Sequence, residues 1–150
     1  MSRRAPRLPS VLVADDFADG RELLAEYLTF RGFTVHTAAD GEQALQIARS
    51  VRPDIVLMDL SMPGIDGWQA ARTLKDDPET KDIIVLAVTA HAMKLETEAA
   101  RLAGCDGIIC KPFDITMLGN ALPRVLTPGA KALDVPGLSL TVRRAADPAP

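Results

Sequence analysis

The chain carries no excess of positive charge. Its 150 residues include 17 Lys and Arg against 20 Asp and Glu, a net charge of −3. That excludes the broad basic field that holds nucleic acid. The cluster Arg3, Arg4 and Arg7 and the pair Arg143-Arg144 read as solvated ends. Cysteine is nearly absent. Cys105 and Cys110 fall in one loop-strand segment, and read as reduced, packed thiols of a cytosolic protein. A zinc site would need more ligands than that region offers. No apolar run approaches the ~20 residues of a membrane helix. The start MSRRAPRLPS lacks the apolar segment of a signal peptide. A cytoplasmic location, without membrane contact, is expected.

What is present is ordinary for a globular domain: 47% hydrophobic and 25% charged residues, with length enough for one real core. Short apolar runs alternate with amphipathic stretches. Strands are expected at Ser10 to Ala14, Thr34 to Thr37, Ile55 to Met58, Ile83 to Val88 and Gly107 to Cys110. Helices are expected at about Phe17 to Phe30, from Asp40 to Pro53, at Gly67 to Lys75, at Met93 to Ala103 and from Asp114. Gly32 marks the end of the first helix. Asp40 and Gln43 form a capping pair at the start of the second, and Pro53 stops it. The third strand is apolar on both faces, as a central parallel strand should be. This alternation predicts an α/β fold: a doubly wound, flavodoxin-like, five-stranded parallel sheet of order 2-1-3-4-5. Pro123 would kink the last helix or end it near Leu122. Residues 9–126 form the expected domain. Residues 127–150 hold four prolines and two glycines and no periodicity, so a disordered tail is expected. Within it, Leu138 to Val142 offers an alternative as an added strand or docking segment.

Asp15 and Asp16, Asp59, Thr89 and Lys111 each directly follow an apolar run. In a parallel sheet those strand ends share one edge, so residues distant in sequence meet in one crevice at the switch point. Three carboxylates there repel one another strongly unless a cation joins them. Mg²⁺ fits, because it prefers hard oxygen ligands and keeps waters. A carboxylate such as Asp59 can accept a phosphoryl group as an acyl phosphate. Lys111 and the metal would neutralise the phosphoryl oxygens, and the Thr89 hydroxyl would donate to one of them.

The motifs Val11-Leu-Val-Ala-Asp-Asp16, Leu57-Met-Asp-Leu-Ser-Met-Pro-Gly-Ile-Asp-Gly67, Val88-Thr-Ala90 and Cys110-Lys-Pro-Phe113 occur in one order. Over about Pro9 to Leu126 the chain resembles the receiver domain of two-component response regulators, in its single-domain, chemotaxis-regulator-like form. The resemblance implies that Asp59 is the phosphoacceptor and that a histidine kinase or histidine phosphotransfer protein is the donor. It implies Mg²⁺ held by Asp16, Asp59 and the Ser61 carbonyl, with Asp15 helping through water. It also implies a cis peptide between Lys111 and Pro112, and a monomer or phosphorylation-dependent dimer.

Two positions depart from the family's habit. Ile108 stands where an aromatic switch residue is common, and Trp68 is too distant in sequence to replace it by motif. His91 borders the path of the hydrolytic water, and reads as solvated. His36 and Met93 need no special function.

The leading function is a stand-alone phosphorylation switch, with no enzymatic turnover beyond its own phosphotransfer and dephosphorylation. Its output would be a contact with a downstream protein. A phosphorylation-independent docking module with the same fold is the alternative. An aspartyl-nucleophile phosphatase is a further one, disfavoured because such enzymes resemble Asp-x-Asp after the first strand.

Overall fold

A computed structural model describes residues 8–60, 67–89, 104–111, 113–125, 132–135 and 138–141. Five parallel strands are present: β1 (Ser10–Ala14), β2 (Thr34–Ala38), β3 (Ile55–Asp59), β4 (Ile84–Thr89) and β5 (Gly107–Cys110). Their order is β2-β1-β3-β4-β5, as the alternation predicts. The described helices are α1 (Ala18–Phe30), α2 (Gly41–Val51), α3 (Gly67–Asp76) and α4 (Ile115–Val125). The helix expected at Met93 to Ala103 lies outside the described residues.

Strand period two sorts the core into two layers. Val11, Val13, Ile55, Leu57, Leu86 and Val88 turn to one face, where Leu24 and Leu28 of α1 and Leu118 and Leu122 of α4 cover them. Leu12, Ala14, Val56, Met58 and Val85 turn to the other, under Ala44, Leu45 and Ala48 of α2 and Ala70, Ala71 and Leu74 of α3. Every residue of β3 is buried, so the strand carrying the central carboxylate is held from both sides.

Helix ends follow local chemistry. Gly32 has φ 102°; its amide donates to Thr29, and the Phe33 amide to Leu28. These are the two bonds of a Schellman stop. The Asp40 side chain accepts from the Gln43 amide at 2.8 Å. The Gln43 side chain reaches one residue further back than a capping box requires, to the Ala39 amide. Arg52 closes α2 at φ 47°, because Pro53 disfavours the right-handed region for it.

Two expectations are corrected. Of the two outcomes expected at Pro123, a kink or an end near Leu122, the second is not found: α4 runs to Val125, with Pro123 inside. Pro123 removes one amide donor from the last turn, and the helix continues because Leu122 and Val125 are both fully buried. The tail is not irregular throughout. Strands β6 (Ala132–Val135) and β7 (Leu138–Thr141) pair antiparallel with each other, and β7 pairs antiparallel with β5. Two four-residue strands are too short to show as periodicity. They form because the edge of β5 offers backbone partners.

Candidate functional site

Strand register assembles the site. Asp15 and Asp16 leave β1, which pairs with β3, and Asp59 ends β3 opposite Val88 of β4. Thr89 follows Val88, and its carbonyl accepts the Lys111 amide at 2.8 Å. The end of β4 is thus tied to the residue that leaves β5. All five residues gather at the carboxyl edge of the sheet, where the sequence places them.

Ligand oxygens of Asp15, Asp16 and Asp59 lie within 4.8 Å of one another. Asp59 is buried, Asp16 is exposed and Asp15 is intermediate. The Lys111 ammonium donates to Asp59 Oδ2 at 2.9 Å and stands 3.6 Å from Asp15 Oδ2. Burial pulls the Lys111 pKa down, but the hydrogen bond to Asp59 and the charges of Asp59 and Asp15 outweigh it, so the net shift is upward. For Asp15, burial pushes the pKa up, with help from the Asp59 charge, against the Phe17 amide and Lys111; the net shift is again upward. Three carboxylates face one lysine, so the cluster carries excess negative charge. This all-oxygen, under-neutralised set has the chemistry of a hard divalent cation site.

Asp15 also builds its surroundings. Its Oδ1 accepts the Phe17 amide at 2.9 Å, which turns the chain into α1 where Phe17, the N-cap residue, makes no side-chain cap. Its carbonyl accepts from Arg21 at 2.7 Å. Beside the carboxylates opens a cleft of about 600 Å³, walled by Phe17, Leu23, Leu24, Phe113 and Ile115. Phe17 is 62% exposed and Leu23 59%, so Asp59 lies at the foot of an apolar surface. Of this wall, the sequence motifs contain only Phe113.

Ser61, His91 and Pro112 lie outside the described residues. Ile108 is half-buried and packs on the small cluster of Leu60 and Ala87, as do Trp68 and Cys105. Trp68, remote from Ile108 by motif, is thus brought to the same cluster by the fold. Gly67, at the start of α3, fits so closely on the Asp59 carbonyl that no side-chain carbon can be placed there. Behind the site, the Lys75 ammonium bonds Asp106 Oδ2 at 2.8 Å and the carbonyls of Lys81 and Ile83. Residues 31 apart reveal no such pair in the sequence.

Residues 11–123 match the family profile of the response regulator receiver domain. The polar-differentiation response regulator DivK of Brucella anthropi is 37% identical over 106 residues, 71% of this chain and 86% of that protein. Among solved structures, chemotaxis response regulator CheY4 of Vibrio cholerae superposes with a TM-score of 0.74 at 29% identity, covering 79% of this chain and 99% of that one. A two-component response regulator of the LuxR family from Aurantimonas sp. SI85-9A1 gives 0.71 at 30% identity, over 79% and 85%. No helix among the described residues is long and apolar enough to cross a membrane. The chain belongs to the receiver domain family of two-component response regulators.

Proposed function

We propose that this receiver is a phosphorylation-dependent switch whose acceptor is Asp59. The observation that carries the reading is the buried Asp59 carboxylate, held at 2.9 Å by Lys111 and within 4.8 Å of Asp15 and Asp16 oxygens. The donor is a phosphohistidine of a histidine kinase or histidine phosphotransfer protein. A carboxylate oxygen of Asp59 attacks phosphorus, the P–N bond breaks, and the imidazole leaves with its electron pair and takes a proton. An acyl phosphate remains on Asp59.

Asp16 and Asp59, with the Ser61 carbonyl and with Asp15 through water, would hold Mg²⁺, which supplies positive charge beside the transferring phosphoryl oxygens. Lys111 adds a second positive charge from the carboxyl end of β5. The Thr89 hydroxyl would donate to a phosphoryl oxygen and draw the end of β4 inward. Ile108 then transmits through packing on Leu60 and Ala87 rather than through a ring flip. Output is a protein contact, and no external substrate is turned over.

The test is incubation with acetyl phosphate and Mg²⁺, followed by intact-mass measurement and peptide mapping. One phosphoryl group at Asp59, absent from Asp59→Asn, is the expected result. Label elsewhere, or undiminished label on Asp59→Asn, overturns the assignment. Turnover of an external phosphate ester would instead support a phosphatase.

A further inference from the structure

The strands β6 and β7 lie beyond residues 11–123, the family match. They extend the sheet to the order β2-β1-β3-β4-β5-β7-β6. Pairing with β5 is short: Ile108 opposes Ser139, and Ile109 opposes Leu138. Every other neighbour of β5 in the sheet is parallel; this one alone is antiparallel. An isolated two-stranded hairpin is marginal in water, so β6 and β7 depend on the β5 edge for their order. The segment has the form of a strand-addition ligand. Leu138-Ser-Leu-Thr141 alternates apolar and polar residues, and Pro136-Gly137, a turn dipeptide, separates it from Ala132-Leu-Asp-Val135.

We propose that the outer edge of β5 is a strand-addition site, and that this chain's own residues 132–141 are its resident ligand. The kind of partner that fits there is an extended, alternating apolar-polar segment running antiparallel to β5. Such a partner and the hairpin exclude one another, because one strand edge pairs with one strand. The tether keeps the hairpin at an effective concentration on the order of millimolar, so a partner segment must displace it. This stands apart from phosphoryl chemistry, since no part of it requires Asp59 to be modified.

The test uses the full chain and the double variant Leu138→Pro/Ser139→Pro. Prolines at both paired positions of β7 remove whichever amide donates to β5. Unchanged exchange protection of β1 and β3 amides reports an intact fold. The probe is a fluorescein-labelled peptide of residues 131–142, with a scrambled peptide as control. In the variant, β5 amides should exchange faster, and the peptide should bind saturably. Wild type should bind it at least tenfold more weakly. Unchanged β5 exchange in the variant removes the hairpin from the edge and overturns the proposal. So does equal peptide binding to both proteins, failure of the variant to bind it, or equal binding of the scrambled peptide.

Discussion

Replacing Gly67 with alanine tests how the acceptor is held. A methyl carbon there would meet the Asp59 carbonyl oxygen, and would stand 2.8 Å from Leu60 Cα and 2.9 Å from the Asp59 carbonyl carbon. All three atoms are backbone, and Asp59 and Leu60 are buried, so no flexible side chain can yield. Either the start of α3 or the end of β3 must move by about 1 Å. Overpacking of this kind costs about 1–3 kcal/mol. The helix-propensity gain of alanine over glycine returns at most about 1 kcal/mol. A net loss of about 2 kcal/mol is expected, or about 6 °C in Tm for a chain of this size. Gly20 is the control. Its nearest neighbour is Phe17 Cδ1 at 3.2 Å, on a ring that is 62% exposed and free to turn. Gly20→Ala should therefore be neutral or slightly stabilising. Urea unfolding of both variants gives the two free energies, and acetyl phosphate labelling of the Gly67 variant reports the displaced carboxylate as slower phosphorylation. A Gly67→Ala protein within about 0.5 kcal/mol of wild type would refute the close approach and the account of why the site needs glycine there.

Titration calorimetry should show Mg²⁺ affinity falling more than about 100-fold in Asp16→Ala, and about 10- to 100-fold in Asp15→Ala if its contact runs through water; equal affinity in Asp16→Ala would remove it from the ligand set. Lys75→Met should cost about 3 kcal/mol by urea unfolding, because Asp106 loses its counter-charge while still buried; a loss under about 1 kcal/mol would show the pair to be dispensable. Burial, then the Asp106 charge, push the Cys105 thiol from 9.0 up to about 12, against Lys75. At pH 8, in a Cys110→Ser background, Cys105 should alkylate about 1000-fold more slowly than an ordinary thiol, and a rate near that of free cysteine contradicts its burial. The unfolded chain loses this proton first as pH rises, so the contribution to stability is full below pH 9.0 and disappears on approach to about 12.

The parts of the fold written in consecutive residues were legible. Asp40 and Gln43 announce the start of α2, Gly32 the end of α1, and Ile55 to Met58 the buried middle of the sheet. The site was legible for a topological reason: once the strands are parallel, whatever follows them shares an edge, and Asp15, Asp16, Asp59, Thr89 and Lys111 follow them. Features that depend on distance in space were not legible. Lys75 and Asp106 meet only because α3 returns alongside β4 and β5. Trp68 reaches the cluster beside Ile108 by the packing of α3, which no motif encodes. Gly67 stands in the long motif, but its reason is the Asp59 carbonyl pressed against it. Pro123 misled because propensity counts the lost hydrogen bond and not the buried Val125 beyond it. The strands β6 and β7 were obscured by composition: the prolines and glycines around them suggest disorder, and their pairing depends on the distant edge of β5.

The hairpin bears on how a receiver with Ile108 passes on its state. From Asp59 the backbone neighbours run across the sheet: Asp59 opposes Val88, Val88 opposes Ile109, and Ile109 opposes Leu138, beside the Ile108–Ser139 pair. The Lys111 amide clamps the Thr89 carbonyl at the same sheet edge. A close-packed sheet transmits a displacement rather than absorbing it. Contiguity alone is not coupling, however; coupling needs an element with two arrangements that both sites bias. A ring turning inward or outward is one such element. A short, marginal hairpin, paired to the strand edge or released from it, is another. If phosphorylation of Asp59 favours one arrangement of the β5 edge, the bound hairpin must alter the free energy of phosphorylation by the same factor, because linkage is reciprocal. Occupancy of the strand edge would then be the two-arrangement element, with Ile108 packed on Leu60 and Ala87 beside it.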